Sequence, residues 1–301
     1  MGKKTVSLVL SSGGARGMAH IGAIEALEEN GYEIVSIAGC SAGALIGGIY
    51  ATGQLPKFKE WICNLDRIDV FSLMDFTLSS KGFIKGDKVF GELKKLINDC
   101  EIEKLMIPFR CTAVEIPSGK ERIFESGSIF EAIRASLSIP TVLTPAKIGN
   151  QEFIDGGIIN PIPFNLLDKD HLGDIVVAVD LNGPKNAILN VKNKDKRASS
   201  LKLPSWLKDY QNKFTNYFYS DEKAEKEDKL KAMSSVELLN FSFDLLQDKL
   251  SALVIEKHEV DILIEISREQ AGTLEFHRAE ELIRVGREKM IHAIKVFEDG
   301  N

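Results

Sequence analysis

The sequence predicts an α/β protein of the three-layer α/β/α class, in which helices cover both faces of a mainly parallel central sheet. Its first part alternates short apolar segments with segments of helical apolar spacing, an order typical of parallel sheets. Residues 175–181 form a nearly continuous apolar run, as expected of a central parallel strand. With 301 residues, of which 44% are hydrophobic, the chain can bury the core that such a sheet requires.

The first five elements are a strand, a turn, a helix, a strand and a second helix, predicted at residues 5–11, 12–17, 18–30, 32–38 and 44–50. The first helix is predicted from the helical spacing of Ile21, Ile24 and Leu27. It should end at Gly31, because glycine readily adopts the left-handed conformation that follows many helices. A strand–helix–strand–helix order predicts parallel neighbouring strands.

The middle of the chain adds shorter elements. They are a helix at 87–97, a strand at 108–116, its hairpin partner at 121–124, a helix at 128–136, an extended segment at 139–145 and a hairpin at 146–154. This last hairpin should turn at Gly149-Asn150, since both residue types favour tight turns. Its second strand leads directly into Asp155.

The composition changes after Pro184. Residues 185–219 carry eight Lys and Arg against two Asp, a local charge of +6 that leaves −12 for the rest of the chain. Residues 221–231 are a mixed charge run, which we interpret as a solvated helix or a linker. These two segments therefore differ from the folded part that precedes them.

Regular elements resume with a helix at 236–258, a strand at 261–266 and a helix at 276–297. The chain has no internal repeat. We therefore predict one domain over residues 1–301, interrupted by a basic and aromatic insertion at 185–233. In this interpretation residues 234–301 complete the domain as a helix–strand–helix unit.

The composition also excludes several function classes. A net charge of −6 argues against nucleic acid as a partner. The four cysteines show no C-x-x-C spacing, and no metal-ligand cluster is evident, so neither a metal nor another cofactor is expected. The apolar run after Lys3 and Lys4 is too short for a signal peptide or a membrane span. We expect a cytoplasmic protein, in keeping with the cysteine usage.

A nucleophile elbow is predicted at residues 39–43, where Gly-Cys-Ser-Ala-Gly connects the second strand to the second helix. In this motif the serine, here Ser41, occupies a strained turn. Gly39 and Gly43 are required because side chains there would collide with neighbouring elements. The first N–H groups of the new helix also point toward the place where an oxyanion could form. The alternative interpretation is a Gly-rich packing turn without chemistry.

The loop after the first strand, Ser-Gly-Gly-Ala-Arg-Gly at residues 12–17, admits three interpretations. A dinucleotide-binding phosphate loop would need glycine at the position of Ser12. A tight strand–helix turn would have only a structural role. An oxyanion hole would use the N–H groups of consecutive glycines, each of which lowers a reaction barrier by roughly 3–4 kcal/mol. The nucleophile elbow on the neighbouring strand favours the oxyanion hole.

Ser41 needs a base to become a good nucleophile, and the sequence offers two kinds. The five histidines are His20, His171, His258, His277 and His292, and none lies in a Gly/Pro-bounded loop typical of a triad base. Asp155 instead follows a strand and precedes Gly156-Gly157, a turn that permits close backbone approach. An Asx turn that merely ends the strand explains most Asp-Gly pairs. The isolated residues leave both interpretations open.

Taken together, the three motifs resemble those of the patatin-like phospholipase family, and more closely its bacterial stand-alone esterases. The matching segments are the Gly-rich loop at 13–17, the elbow at 39–43, the Asp-Gly-Gly motif at 155–157, and connecting segments at 135–140 and 160–163. Their order and spacing fit, with 114 residues between Ser41 and Asp155. The resemblance covers residues 5–183 well and the C-terminal strand and helix more loosely.

The resemblance implies a patatin-like fold and a Ser–Asp dyad without histidine. Ser41 is implied as the nucleophile and Asp155 as the proton acceptor. The oxyanion hole is implied at Gly13, Gly14, Ala15, Arg16 and Gly17, with Arg16 shaping the loop. Supporting positions are Gly39, Gly43, Gly156 and Gly157. Ser12 departs from the glycine usual in the family, and its side chain requires a negative φ.

The implied function is hydrolysis of acyl esters in phospholipids or related lipids, through an acyl-enzyme that water releases. Phospholipase A, lysophospholipase and carboxylesterase activities all fit, and head-group and chain-length preferences stay open. One alternative is an α/β-hydrolase triad with Asp180 as orienter and His258 or His277 as base. Another is a non-catalytic protein that binds acyl lipid or a protein partner through the insertion.

The insertion would carry an aromatic stripe if it were helical. Spacings of three or four residues separate Trp206, Tyr210, Phe214 and Tyr217/Phe218, with Lys202, Lys208 and Lys213 nearby. A basic helix with aromatic residues suits a lid over a lipid cleft, or peripheral contact with an anionic membrane at its inner face. Packing on the domain or on a second subunit, as in a homodimer, explains the stripe equally well.

Overall fold

The computed structural model describes residues 4–75, 77, 84–184 and 235–300. The strands of these residues form one sheet and are β1 (Thr5–Leu10), β2 (Glu33–Cys40), β3 (Phe109–Ile116), β4 (Glu121–Phe124), β5 (Ala146–Ile148), β6 (Gln151–Asp155), β7 (Ile175–Gly183) and β8 (Ile262–Ser267). Strands β3, β2, β1, β7 and β8 are parallel neighbours in that order. The predicted α/β/α class with a mainly parallel sheet is confirmed.

The helices of the described residues are α1 (Met18–Glu29), α2 (Ala42–Ala51), α3 (Leu55–Asn64), α4 (Arg67–Leu73), α5 (Asp87–Leu96), α6 (Ile129–Ser136), α7 (Ser235–Glu256) and α8 (Ala279–Asp299). Local chemistry explains several of their ends. Helix α1 stops before Gly31, which has a φ of 82°, and the Ser128 side chain caps α6 by accepting from the N–H of Glu131. Helices α3 and α4 are additional to the predicted elements.

Strand β1 lies at the centre of the sheet and is buried on both faces. On one face, Leu8 and Leu10 belong to the same core as the inner sides of α1, α2 and α8. On the other face, Val9 packs with Phe164 and with Val254 of α7. Alternation along a strand sends successive side chains to opposite layers, so β1 contributes to both cores. Helix α7 covers part of the second face.

Strands β2 and β6 lie end to end along one edge of β3. Cys40 of β2 is opposite Thr112, and Asp155 of β6 is opposite Ala113, the next residue of β3. Strand β4 occupies the other edge of β3, since it pairs with both of these residues. Because β2 runs parallel to β3 and β6 antiparallel, their carboxyl ends point toward each other. Ser41, which follows Cys40, is thereby brought to Asp155.

Residues 139–145 are predicted to be extended, but in the structure they begin with a tight turn. The N–H of Val142 donates to the carbonyl oxygen of Ile139 at 3.1 Å, and Thr141 has a φ of 69°. Pro140 accounts for the turn, because its ring fixes the φ that the first corner position of a turn requires. The prediction missed that two prolines in one segment also favour a bend.

The predicted insertion at 185–233, with its aromatic stripe and its mixed charge run, lies outside the described residues. The elements that follow it rejoin the sheet, because β8 pairs in parallel with β7. Within the ranges given above, no helix has both the length and the apolar character needed to cross a membrane.

Candidate active site

Ser41 occupies the sharp turn between β2 and α2. Its φ of 52° and ψ of −114° lie in a region that costs a non-glycine residue about 1–3 kcal/mol. The elbow glycines make this turn sterically feasible. A Cβ on Gly39 would lie 2.6 Å from the carbonyl oxygen of Gly43, and one on Gly43 would lie 2.1 Å from the carbonyl oxygen of Leu10. The predicted nucleophile is thus held, buried, at the carboxyl end of β2.

Two hydrogen bonds hold the strained backbone of Ser41. Its N–H donates to the hydroxyl oxygen of Ser136 on α6 at 2.8 Å, and its carbonyl oxygen accepts from the N–H of Leu45 at 3.0 Å. Ser136 lies in one of the connecting segments that resemble the family, but the sequence does not indicate its role, because its partner is a backbone group 95 positions away. Helix α6 therefore positions the candidate nucleophile.

Asp155 lies at the carboxyl end of β6 and is buried beside the elbow. Its Oδ1 accepts a hydrogen bond from the N–H of Gly157 at 2.7 Å and lies 4.0 Å from Cys40 Sγ. Burial raises the pKa of Asp155 from 3.8 to about 7, although hydrogen bonds from the Ser41 side chain and from Gly157 act in the opposite direction. A carboxyl group with a pKa near neutrality therefore faces Ser41.

The Asp-Gly-Gly turn is too tightly packed for side chains at its glycines. A Cβ on Gly156 would lie 2.4 Å from the carbonyl oxygen of Thr112, and one on Gly157 would lie 2.7 Å from Gln247 Nε2. Gln247 is buried on α7 and donates to the carbonyl oxygen of Gly157 at 2.9 Å. Helix α7 thus supports the turn that presents Asp155, a contact that no sequence motif marks.

The predicted oxyanion loop connects β1 to α1. In the described part of the chain, the N–H groups of Gly13 and Gly14 donate to no protein atom. The N–H of Ala15, in contrast, donates to the carbonyl oxygen of Thr273 at 2.8 Å. Gly13 and Gly14 are therefore the loop residues whose N–H groups are available to an oxyanion.

The oxyanion loop packs directly on the elbow. A Cβ on Gly17 would lie 2.5 Å from the Cβ of Ala42, the residue after Ser41. The N–H of Ala42 belongs to the first turn of α2 and is a further donor candidate, in line with the expectation that the first N–H groups of this helix point toward an oxyanion. Among the described non-glycine residues, Ser41 and Thr141 have a positive φ. Ser12 is not one of them, so it has the negative φ that its side chain requires.

Arg16 is buried behind the oxyanion loop. Its guanidinium donates to the carbonyl oxygens of Leu181 at 2.9 Å, Ala271 at 2.8 Å and Arg268 at 3.2 Å. Burial lowers the pKa of Arg16 to about 10, so the side chain stays charged at neutral pH. These acceptors lie at the end of β7 and just after β8, and Arg16 therefore fastens the loop to the C-terminal part of the sheet.

The contacts described for the two candidate triad histidines are with residues other than Ser41. His258 stacks on Phe164 with ring centroids 4.8 Å apart, and His277 Nε2 accepts a hydrogen bond from the first residue of α4 at 3.0 Å. Asp180 accepts from a backbone N–H two residues later. None of these contacts joins a histidine to Ser41, so the geometry favours Asp155 as the base. Among the described residues, no group of His, Cys, Asp or Glu side chains is arranged to hold a metal ion.

An apolar cavity opens beside the elbow and the oxyanion loop. It measures about 960 Å³, counting the part open to solvent, and both Gly14 and Ala42 line it. The remaining wall comes from α2 to α5, from residues 137–143 and from residues 273–276. Nearly all of these side chains are hydrophobic, and such a wall accommodates an acyl chain without burying unpaired polar groups.

Comparison of the sequence with known proteins gives three likenesses. The family model described as patatin-like phospholipase matches residues 8–168, a range that contains all three motifs. An uncharacterized NTE family protein of Mycobacterium tuberculosis is 32% identical over 97% of this chain and 92% of its own length. A protein named lysophospholipase NTE1, from Scheffersomyces stipitis, is 31% identical over 60% of this chain and 12% of its own length.

Among solved structures, VipD from Legionella pneumophila aligns with a TM-score of 0.46 and 14% identity, over 98% of this chain and 67% of that chain. The family assignment rests on the sequence matches, which cover more than half of the chain for the family model and nearly all of it for the mycobacterial protein. The chain belongs to the patatin-like phospholipase family.

Proposed function

We propose that this protein is a serine hydrolase of acyl lipids that cleaves carboxylic esters through a Ser41–Asp155 dyad. One observation carries the proposal: a serine on a positive-φ elbow shares a hydrogen bond with a buried aspartate, beside an apolar cavity. A turn with only a packing role would need neither the strained serine nor a carboxyl group of raised pKa facing it.

In the acylation step, deprotonated Asp155 accepts the hydroxyl proton of Ser41 while Ser41 Oγ bonds to the ester carbonyl carbon. The carbonyl oxygen becomes an oxyanion, and the N–H groups of Gly13, Gly14 and Ala42 are placed to stabilise it. The bond between the carbonyl carbon and the leaving oxygen then breaks. Asp155 returns the proton to that oxygen, which leaves as an alcohol, and the acyl group stays on Ser41.

In the deacylation step, water replaces the alcohol. Asp155 accepts a proton from the water as the water oxygen bonds to the acyl carbon, and the same oxyanion forms again. When the bond to Ser41 Oγ breaks, Asp155 returns the proton to Ser41. The products are a free fatty acid and the original enzyme, so protons and bonds balance over the cycle.

The electrostatics of the site suit this role for Asp155. A general base works best when its pKa lies near the operating pH, and burial raises the pKa of Asp155 to about 7. An ordinary exposed aspartate, at 3.8, would be ionised at neutral pH but would be a much weaker proton acceptor. Burial thus supplies the basicity that a histidine supplies in a triad.

Two further observations support a lipid as the substrate. The cavity beside the elbow has a hydrophobic wall, which suits an acyl chain rather than a polar acid. The relative from Scheffersomyces stipitis is named a lysophospholipase. Lipids with one acyl ester and lipids with two both remain in the proposed substrate class.

The experiment that tests the proposal incubates the protein with a panel of phospholipids, lysophospholipids and neutral acyl esters, and identifies the products by mass spectrometry. We expect release of free fatty acid from at least one lipid class, and none from a folded Ser41→Ala variant. Equal release by Ser41→Ala would disprove the dyad. Loss of release in His258→Ala or His277→Ala, with the fold intact, would support a triad instead.

Absence of release from every lipid and from a short-chain chromogenic ester would favour the non-catalytic alternative. The cytoplasmic location, the homodimer and a membrane contact through residues 185–233 stay predictions.

A further inference from the structure

Helix α7 directs several polar residues inward, beside Val254, and much of its apolar side outward. The inward side carries Gln247 and Ser251, both buried, and Asp244 and Asp248, which pair with Arg268. The outward side carries six large hydrophobic residues that are 50–61% exposed: Leu238, Leu239, Phe241, Leu245, Leu246 and Leu253. We call these six residues the outer α7 face. Water-facing helices normally show the opposite arrangement.

The outer α7 face is a continuous strip rather than a scatter of exposed residues. Leu239, Leu246 and Leu253 are seven residues apart, so they lie on one line along the helix, and Leu238 and Leu245 form a parallel line beside it. From the first to the last residue the strip is about 22 Å long. An exposed apolar patch of several hundred Å² marks an interaction site.

We propose that the outer α7 face docks the protein on the surface of a lipid bilayer. This inference rests on the proposed function, because a lipid hydrolase must reach substrate that is held in an aggregate. Interfacial helices lie in the membrane surface with leucine and phenylalanine immersed and with lysine at the headgroup level. The strip supplies the leucines and the phenylalanine, and exposed Lys249 lies between them.

The position of the helix connects the strip to the candidate active site. The inward side of α7 bonds to the Asp-Gly-Gly turn through Gln247. Nearer its start, Asn240 Oδ1 accepts a hydrogen bond from Thr141, at 3.2 Å, in the turn whose neighbours Ile139 and Val142 line the apolar cavity. A bilayer seated on the opposite side of the same helix would therefore lie close to both the base and the cavity wall.

The chemistry of the strip favours a bilayer over a second copy of the chain. Exposed Ser242 and Lys249 lie between its leucine lines, so a helix-to-helix seam would bury a lysine in the middle of its apolar contact. On a bilayer the lysine can extend to a phosphate while its alkyl part stays in contact with lipid.

The test uses the full chain and compares three proteins. The first is unaltered, and the second carries Leu239→Asp and Leu246→Asp on the outer α7 face. The third is the matched control with Leu172→Asp and Val296→Asp, two hydrophobic residues of similar exposure, 55% and 59%, that lie outside α7. Binding is measured by flotation with vesicles of phosphatidylcholine mixed with phosphatidylglycerol, and hydrolysis by a soluble short-chain ester.

We expect the α7 variant to lose vesicle affinity by on the order of tenfold or more, because two immersed leucines are replaced by charged groups. The control should bind vesicles like the unaltered protein, and all three should hydrolyse the soluble ester at similar rates. Equal vesicle binding by all three, or none by the unaltered protein, would overturn the proposal. Vesicle binding without ester hydrolysis would leave the docking surface standing and remove the proposed function.

A second measurement does not depend on the tolerance of α7 to acidic residues. Leu246→Trp keeps the strip apolar, and quenching of its fluorescence by bromine-labelled phospholipid reports immersion. We expect Leu246→Trp to be quenched more than the unaltered protein. The control Val296→Trp should show no quenching beyond that of the unaltered protein. Equal quenching in both would contradict docking through α7. If the unaltered protein sediments as a dimer and the variant with Leu239→Asp and Leu246→Asp sediments as a monomer, the strip contacts a second copy instead.

Discussion

Ser41 and Asp155 each destabilise the folded protein, for different physical reasons. Ser41 adopts a backbone conformation that L-residues avoid, and hydrogen bonds to Ser136 and Leu45 keep it there. Asp155 is buried with few donors, so its ionised form is disfavoured and its pKa rises to about 7. Both features destabilise the folded chain, and both are expected at a site selected for reactivity rather than for stability.

The cost of burying Asp155 should appear as a pH-dependent gain on its removal. The native pKa of about 7 exceeds the ordinary 3.8, so the folded state binds a proton more tightly, and this group lowers stability progressively as pH rises from about 4 to 7. We expect Asp155→Asn to raise the free energy of unfolding at pH 8 by on the order of a few kcal/mol, and to raise it little near pH 4. Denaturant unfolding at both pH values measures this.

Asp174→Asn provides a control of opposite sign. Hydrogen bonds from the backbone and side chain of Thr5 lower the pKa of Asp174, so its ionised form stabilises the folded state at neutral pH. At pH values above the pKa of Asp174, the Asp174→Asn variant should be less stable than the unaltered protein. Well below that pKa, the two proteins should be equally stable. If Asp155→Asn instead lowers the free energy of unfolding at pH 8, then burial does not destabilise the ionised carboxylate of Asp155.

Ser136 should matter for activity through the backbone of Ser41. In Ser136→Ala the buried N–H of Ser41 loses its acceptor, which costs about 1–3 kcal/mol of stability and loosens the elbow. We expect a lower kcat on a soluble ester. The matched variant Ser36→Ala removes a buried hydroxyl that donates to Ser7 within the sheet, and it should lose stability while kcat stays unchanged. Equal kcat in both variants would contradict a positioning role for Ser136.

At the scale of elements, sequence patterns work well where local chemistry is decisive. Strand β1 and helix α1 follow from apolar spacing and from Gly31, whose φ of 82° ends the helix as expected. Helix α3 buries Leu55, Phe58 and Ile62 at regular helical spacing, so its pattern is present in the sequence, whereas α4 is seven residues long and buries Val70. The turn that Pro140 begins also requires a positive φ at Thr141, which a threonine rarely adopts.

Helix α7 shows why a correctly predicted helix can still be oriented unexpectedly. Leucines at helical spacing are expected to face the core, whereas the buried residues of α7 are Gln247 and Ser251, and the partly exposed Asp244 and Asp248 pair with Arg268. The partners of Gln247 and of the two aspartates are a carbonyl group 90 residues earlier and an arginine beyond the next strand. Such pairings depend on tertiary position and leave no local trace in the sequence.

Gln247 should influence the acidity of Asp155. It holds the Gly157 carbonyl, and the Gly157 N–H in turn donates to Asp155 and lowers its pKa. We expect Gln247→Met to loosen this turn, to weaken that N–H bond and so to move the acidic limb of the pH–kcat profile upward from about 7. The control is Ser251→Ala, buried on the same side of α7 with no partner for its hydroxyl. An unchanged pH profile would reduce Gln247 to a packing role.

At the scale of the whole molecule, the site depends on how three strands meet. Strands β2 and β6 approach each other along one edge of β3, which places Asp155 one register position beyond Cys40. The sequence predicts both strands and both motifs but not this alignment, since register is set by long-range pairing. The resemblance to a known family supplied the pairing of Ser41 with Asp155 that the isolated residues left open.

The cavity extends the site to the scale of a lipid. If it holds the acyl chain, then filling it should change chain-length preference without touching the chemistry. We expect Val142→Trp, which places a large ring in the cavity wall, to lower kcat/KM for long-chain esters on the order of tenfold and to spare short-chain esters. Met106→Trp, at a fully exposed position, is the control. A uniform loss at all chain lengths would argue against the cavity as the acyl site.

The central claim is that Ser41 reacts covalently because Asp155 activates it. Labelling with a fluorophosphonate ester, followed by peptide mass spectrometry, tests this most directly, because the probe bonds only to an activated serine. The account predicts one adduct, on Ser41, with a rate that rises through pH 7 and falls at least on the order of a hundredfold in Asp155→Asn. An adduct on another residue, or full labelling of Ser41 in Asp155→Asn, would contradict it.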